Sequence, residues 1–259
     1  MVEFNALLKL KRYFKREVVI SRVSDLLLTG FSQNDLAGEF LKIDHEVWNG
    51  VTEDSRFLRT REIVIENFRN CGETMLCAFE SGRITATLTW MRTTEKDALA
   101  QTSWFEKTGA GTLKTNNPQG ATAFGVDLSV LKTASKNVSD RIVITALLIG
   151  LLGEGLKSIY LGSRIPGYCK HQNVTVDEYV HGKRSSGKPF DPELYFYLKN
   201  GFKIAGIIPD YMDDPKSLNY GVMVRWDNPL YKLTKIFPSL KYLIRKLGEK
   251  FLLGLPDIK

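Results

Sequence analysis

Residues 121–154 offer the backbone chemistry of an anion site. A strand over 121–130 runs through a loop into a strongly apolar helix expected over 141–154, and the exposed N–H groups at a helix start bind phosphate without needing particular side chains. Ser135, Asn137 and Ser139 add hydroxyl or amide donors, while Lys132 and Lys136 add positive charge. Every strand-to-helix connection has such a start, so this feature takes its meaning from its surroundings. A second stretch, Phe196-Tyr197-Leu198-Lys199-Asn200-Gly201-Phe202, sets a phenol near the end of a helix, just before a glycine turn and a strand. That tyrosine reads either as a reactive group or as a ring packed under a sheet.

Other chemistries find little support. His45, His171 and His181 share no ligand spacing, so no metal site is expected. Cys71, Cys77 and Cys169 are odd in number, lack a CxxC pair and have no histidine tied to them by a motif, which argues against thiol catalysis. With a charged N-terminus and no secretory signal, a reducing cytoplasm is the expected location. At 259 residues, 43% hydrophobic and 25% charged, the chain can bury a large core. No apolar run approaches the roughly 18 residues of a membrane span. The net charge of +7 favours acidic proteins, phosphates or anionic lipid as partners; no basic-aromatic motif points to nucleic acid.

The elements that must position these groups follow from periodicity. A first strand over 17–22 precedes a helix over 33–48, capped by Ser32 with Leu36, Phe40, Ile43 and Val47 on one face, and a second helix over 59–69. A hairpin over 74–93 turns at Glu80-Ser81-Gly82. Residues 94–120 form an insertion, either folded or a mobile lid. The strand over 121–130 is broken by Gly125, where a bulge or a close ligand fits. After the 141–154 helix comes a strand over 157–162, an irregular stretch to Lys188, a helix, and two strands starting at Phe202 and Asn219. The ends are basic and amphipathic: an arm over 1–16, and a helix over 229–259 whose Leu240, Ile244, Leu247 and Phe251 form a stripe. Either end reads as a cover for the domain or as a contact, with a membrane surface or a partner for the arm and with a membrane surface or a carrier protein for the C-terminal helix.

This element order resembles the GNAT acyltransferase superfamily, and the segment 196–202 matches its motif of aromatic, tyrosine, any residue, lysine, any residue, glycine, phenylalanine. Arg164-Ile165-Pro166-Gly167-Tyr168, Asp191-Pro192-Glu193-Leu194 and Tyr211-Met212-Asp213-Asp214-Pro215 before Tyr220-Gly221, with Thr108-Gly109-Ala110-Gly111-Thr112 in the insertion, are similar to a subgroup found alone or fused to nitrilase-like amidases. The resemblance covers residues 17–228. It implies an α+β fold with a mixed, mostly antiparallel twisted sheet of about seven strands flanked by helices.

The resemblance further implies an N-acyltransferase whose thioester donor, acyl-CoA or an acyl-phosphopantetheine, lies between the fourth and fifth strands beside Val126 and Leu128. The donor's phosphates are expected on Ser135, Lys136, Asn137, Val138, Ser139 and Asp140, and a primary amine of a small molecule or peptide attacks directly. Tyr197 then matches the leaving-group acid, because a phenol of pKa about 10 suits an alkyl thiolate. Asp127 and Glu46 are the carboxylates expected to take the amine's proton, although each also fits a structural role. Arg164 and Tyr168 suit a substrate carboxylate or the thioester, or form a rigid turn; Trp104 is an anchor of the substrate-side insertion. The phosphate segment departs from the family pattern. It has no glycine, which limits close backbone approach, and Asp140 adds negative charge. A phosphopantetheine on an acidic acyl carrier protein asks less of that loop than CoA does, and GNAT relatives that use fatty acyl thioesters work in this manner. The alternatives are an inactive binding module or a peripheral membrane-surface protein.

Overall fold

A computed structural model describes residues 18–52 and 54–254; the arm expected over 1–16 lies outside them. Seven strands form one sheet in the order β1-β2-β3-β4-β5-β7-β6: β1 Val18–Arg22, β2 Met75–Glu80, β3 Arg83–Thr93, β4 Thr122–Val130, β5 Ser158–Arg164, β6 Lys203–Ile208 and β7 Gly221–Asp227. All neighbours are antiparallel except β4 and β5. Alternate residues along the strands feed two cores. Met75, Cys77, Met91 and Phe124 face α1 Val23–Leu28, α2 Gln33–Trp48 and α3 Arg61–Cys71. Leu76, Ala78, Trp90 and Ala123 face the helix that begins at Val138 and the one at Pro192.

β4 and β5 pair at only three positions, Ala123 with Ile159, Phe124 with Tyr160 and Gly125 with Leu161, and then separate. The cause is local. Thr89 pairs with Asp127 and Trp90 with Gly125, so Val126 is an extra residue that bends β4 away. Gly125 sits at that bend because a Cβ there would lie 3.0 Å from Leu161 Cβ.

The insertion is folded. It carries α4 Glu95–Leu99 and α5 Trp104–Thr108, the latter started by a reciprocal Ser103–Glu106 capping box. Lys107 is buried and donates to the carbonyls of Asp97 (3.0 Å), Ala98 (3.1 Å) and Ala100 (2.6 Å), and burial lowers its pKa to about 8. The helix after β4, α6 Val138–Thr145, starts three residues earlier than the 141–154 pattern suggests and widens into a π-helical segment, Ala146–Leu152. Gly150 of that segment lies on Trp90, which leaves no room for a Cβ. Part of the stretch read as irregular is helical: α7 Val176–His181, with a Thr175–Glu178 capping box. α8 Pro192–Lys199 is capped by Asp191, which accepts from Glu193 N and Leu194 N.

The C-terminal residues form α9 Tyr231–Ile236 and α10 Pro238–Leu252. The expected stripe is split: Leu240 and Ile244 are half-buried, whereas Leu247 and Phe251 are 46% and 45% exposed. Glycines decide the orientation: Gly248 lies against Ile149 and Gly153 against Arg245, so the backbones approach on that side. Arg245 pairs with Glu154 (2.7 Å) and Arg22 with Glu249 (2.7 Å), fixing it.

Tyr211 packs where only glycine fits. A Cβ at Gly162 would lie 2.1 Å from its ring and one at Gly221 2.6 Å away. Gly162→Ala is therefore expected to cost roughly 1–3 kcal/mol through overpacking, seen as a lower urea midpoint with unchanged slope.

Candidate active site

Two cavities meet where β4 and β5 part. One opens on the α6 and α8 side and is lined by Leu128, Val143, Leu147, Glu193, Tyr197 and Phe202; the other opens on the α2 side and is lined by Asp44, Phe57, Arg59, Trp104 and Met212. Trp48, Val126, Asp127, Gly162 and Arg164 wall both. Beyond Gly125 the β5-facing edge of β4 has no strand partner, which leaves a gap between the two strands.

A buried charge cluster crosses this junction. The Arg59 guanidinium donates to Asp44 Oδ1 (3.0 Å from Nε) and to Asp127 Oδ2 (3.1 Å from Nη2), and all three side chains are 6% exposed or less. Burial opposes the charge on Arg59, but Asp127 and Asp44 outweigh it and raise its pKa. Burial raises the pKa of Asp127, partly offset by Arg59 and by the adjacent Thr89 hydroxyl. Neither that hydroxyl nor Asp127 Oδ1 makes a hydrogen bond of ordinary geometry to a described residue, so one carboxylate oxygen remains able to accept a proton.

A second cluster stands opposite. Arg164 donates to Asp214 Oδ2 (2.8 Å) and to Glu193 Oε1 (3.3 Å). Burial raises the Glu193 pKa while the Arg164 charge lowers it; the side chain is 41% exposed through the open cavity, which tempers the shift. The Tyr197 pKa is raised, first by burial and then by the Glu193 and Asp127 charges, so the phenol holds its proton through the neutral range. Its ring rests edge-on against Phe196 and Phe202. Trp104 donates from Nε1 to the carbonyl of the bulged Val126 (2.9 Å), and Trp48 to Ser129 Oγ (2.8 Å), so both indoles are fixed at the α2-side mouth.

The structure thus brings together Tyr197, Asp127, Val126, Leu128, Arg164 and Trp104. It does not bring Glu46 there: that side chain is exposed, because the inward face of α2 continues from Phe40 to Asp44. Tyr168 is 7% exposed, stacks near Tyr179 and Tyr220 and donates to the Val174 carbonyl (3.2 Å), which makes it a packing residue. Ser135, Lys136 and Asn137 are exposed in the loop before α6. The Ser135 backbone N–H and hydroxyl both donate to the Glu80 carboxylate. Asp140, in the first turn of α6, pairs with Lys199 (3.1 Å) at the end of the helix that carries Tyr197, while Val138 is buried and Ser139 half-buried. Sequence reading missed Asp44, Trp48 and Arg59. A signal existed for two of them: Leu36, Phe40, Asp44 and Trp48 recur every four residues, placing a carboxylate on the apolar face.

Over 161 residues the chain is 30% identical to an uncharacterized N-acetyltransferase, YkwB, of Bacillus subtilis, a match spanning 62% of this chain and 71% of that protein. The chain belongs to the GNAT superfamily. A second relative, the probable hydrolase YhcX of the same organism, is 28% identical over 185 residues, and the match spans 34% of its length. Among solved structures, this GNAT chain superposes on the loading GNATL domain of CurA from Lyngbya majuscula with a TM-score of 0.67 (15% identity, 81% of this chain and 97% of that one). It superposes on the GphF GNAT-like decarboxylase in complex with isobutyryl-CoA with a TM-score of 0.62 (20% identity, 81% and 98%). No family model matches the sequence.

Removing the shared cation exposes the cost of the cluster. Arg59→Leu is expected to lose about 3–5 kcal/mol at pH 7, because two buried carboxylates lose their counter-charge. Burial already raises the Asp127 pKa, and without Arg59 it rises further above the unfolded value of about 3.9, so the folded state binds more protons and stability recovers as pH falls toward that value. Urea titrations at pH 7 and pH 5 read this recovery directly.

Proposed function

We propose that the protein transfers an acyl group from a phosphopantetheine thioester to a primary amine by direct attack. The observation that carries this reading is the gap between β4 and β5, reached from opposite faces by two cavities that meet at Asp127 and Val126. A pantetheine arm is extended and rich in amides, so it suits the unpaired edge of β4 in the way a third strand would. Entering on the α6 side, it sets the thioester near Val126, with Tyr197 on the same wall.

The amine then comes from the α2 side, between Trp48, Phe57 and Trp104. Its nitrogen attacks the carbonyl carbon, the C–N bond forms and the C–S bond breaks. The ammonium proton passes to Asp127 Oδ1, and the thiolate takes the phenol proton of Tyr197, which is later restored from solvent. Attack needs a neutral amine, and a raised Asp127 pKa makes that carboxylate a better base than a solvated one. The cavity's carboxylates Asp44, Asp127 and Glu193 outnumber its cations Arg59 and Arg164, which favours an amine that arrives positively charged with an apolar body for the aromatic mouth.

An acyl carrier protein fits the donor end better than CoA does. Ser135 spends its N–H and hydroxyl on Glu80, whose charge repels a pyrophosphate, whereas Lys132 and Lys136 lie exposed nearby to meet an acidic carrier. Apolar side chains along the α6-side cavity, Val143, Leu147 and Phe202 among them, support an acyl group larger than acetyl.

The test measures free thiol release from acetyl and long-chain acyl donors, each on CoA and on a carrier protein, with a panel of primary amines. Transfer is expected to be faster from the carrier. Tyr197→Phe is expected to lower kcat by about 10²–10⁴-fold with donor KM unchanged; unchanged kcat removes its acid role, and binding without transfer by the unmodified protein makes the fold a binding module. The pH profile supplies a separate check. Activity is expected to fall with acid through the raised Asp127 pKa, a limb that should vanish from the residual rate of Asp127→Asn.

A further inference from the structure

We infer that the α9–α10 hairpin docks the protein on an anionic lipid surface. Of the ten exposed large hydrophobic residues among the described residues, seven lie between Leu233 and Phe251. Ile236 and Phe237 are 69% and 55% exposed at the turn of the hairpin, and Leu243, Leu247 and Phe251 continue the patch along α10 at 52%, 46% and 45%. Their spacing of four residues puts the last three on one face of the helix, about a turn apart.

This is an amphipathic helix whose Leu243, Leu247 and Phe251 are turned outward, while Leu240 and Ile244 are half-buried. The opposite face binds the domain through Gly248 against Ile149 and through the Arg245–Glu154 and Arg22–Glu249 pairs. A helix whose only task was to cover the core would bury Leu247 and Phe251 there. Contiguous exposed apolar surface of this kind marks a contact site. No helix among the described residues is long and apolar enough to cross a membrane, and the 15-residue α10, at about 1.5 Å per residue, is shorter than a bilayer core, so the hairpin would lie in the interface plane.

Charge selects the occupant. Lys232, Lys235, Lys246 and Lys250 are exposed on the hairpin, and the Lys250 ammonium lies 5.8 Å from the Phe251 ring centre, so cation and apolar surface are adjacent. A second copy docked about a two-fold axis would face these lysines with their own equivalents. The chain's own residues 1–16 carry Lys9, Lys11, Arg12, Lys15 and Arg16, which are of the same sign. Anionic headgroups above an apolar layer complement both features at once. The inference stands apart from the acyl-transfer reading.

The experiment is flotation of the full chain with vesicles of phosphatidylcholine alone or mixed with phosphatidylglycerol, at low and high ionic strength. The protein is expected to float with the mixed vesicles at low ionic strength and to stay behind with phosphatidylcholine alone. Leu247→Glu with Phe251→Glu is expected to reduce flotation about tenfold or more while leaving the melting temperature near that of the parent, since each side chain is already nearly half exposed. Lys246→Glu with Lys250→Glu tests the charge separately and should weaken both the binding and its salt dependence. Failure of the unmodified protein to float, or undiminished flotation of the first pair variant, overturns the inference. So does a dimer, or a complex with an acidic carrier protein, that the first pair abolishes while no vesicle binds.

Discussion

Everything at the site depends on the separation of two parallel strands after three residue pairs. The extra residue Val126 bends β4 out of register with β3, and the packing of Tyr211 against Gly162 holds β5 on its own course. The resulting gap leaves backbone groups without sheet partners, which a folded protein tolerates where water or a ligand supplies them. Two cavities reach it from opposite faces of the sheet and share a wall, and on the proposed reading donor and acceptor approach one point from those two sides. Proximity of that kind is a large part of what a transferase must supply, because it replaces the entropy of bringing two reactants together.

The wall shared by the two cavities is lined by charge, and two arginines balance its carboxylates. Arg59 balances Asp44 and Asp127, and Arg164 balances Asp214 and Glu193. Each cation is held by more than one carboxylate, so neither is spare for a substrate carboxylate. The motif-like turns turn out to support Arg164. Asp214 is fully buried, bonds Ser217 and Arg164, and accepts from Lys216 N, while Ser217 Oγ accepts from Ile165 N (3.0 Å). Asp191 caps α8 and accepts from Gly167 N (3.0 Å) and the Tyr179 hydroxyl (3.3 Å). Asp213 receives Thr52 and Asp54 from the loop that leads to Arg59. These aspartates connect three chain segments, which explains why the turns are long, acidic and rigid.

Much of this was legible in the chain. Strand alternation and helix caps are local properties, so α2 with its Ser32 cap, the β2–β3 hairpin and the Gly125 irregularity were readable one segment at a time. The tyrosine at the end of α8 was visible because its glycine turn fixes a helix-to-strand junction. Three things were not. Asp44 and Arg59 stand 15 residues apart and acquire meaning only when α2 and the following loop pack onto β4. Glu46, two residues on, was an equally good carboxylate until the helix phase was set by the core. The orientation of α10 was also hidden, since its apolar stripe advertises burial, while the glycines that dock it, Gly153 and Gly248, are far apart in sequence.

On the proposed mechanism the unpaired edge of β4 receives the thioester arm. Hydrogen exchange of the full chain, with and without a non-transferable thioether analogue of an acyl-phosphopantetheine, addresses it most directly. Slowed exchange is expected in a peptide covering Val126–Val130, together with one at the end of α8 around Tyr197. Protection confined to other segments, with exchange along β4 unchanged at saturating analogue, would contradict it.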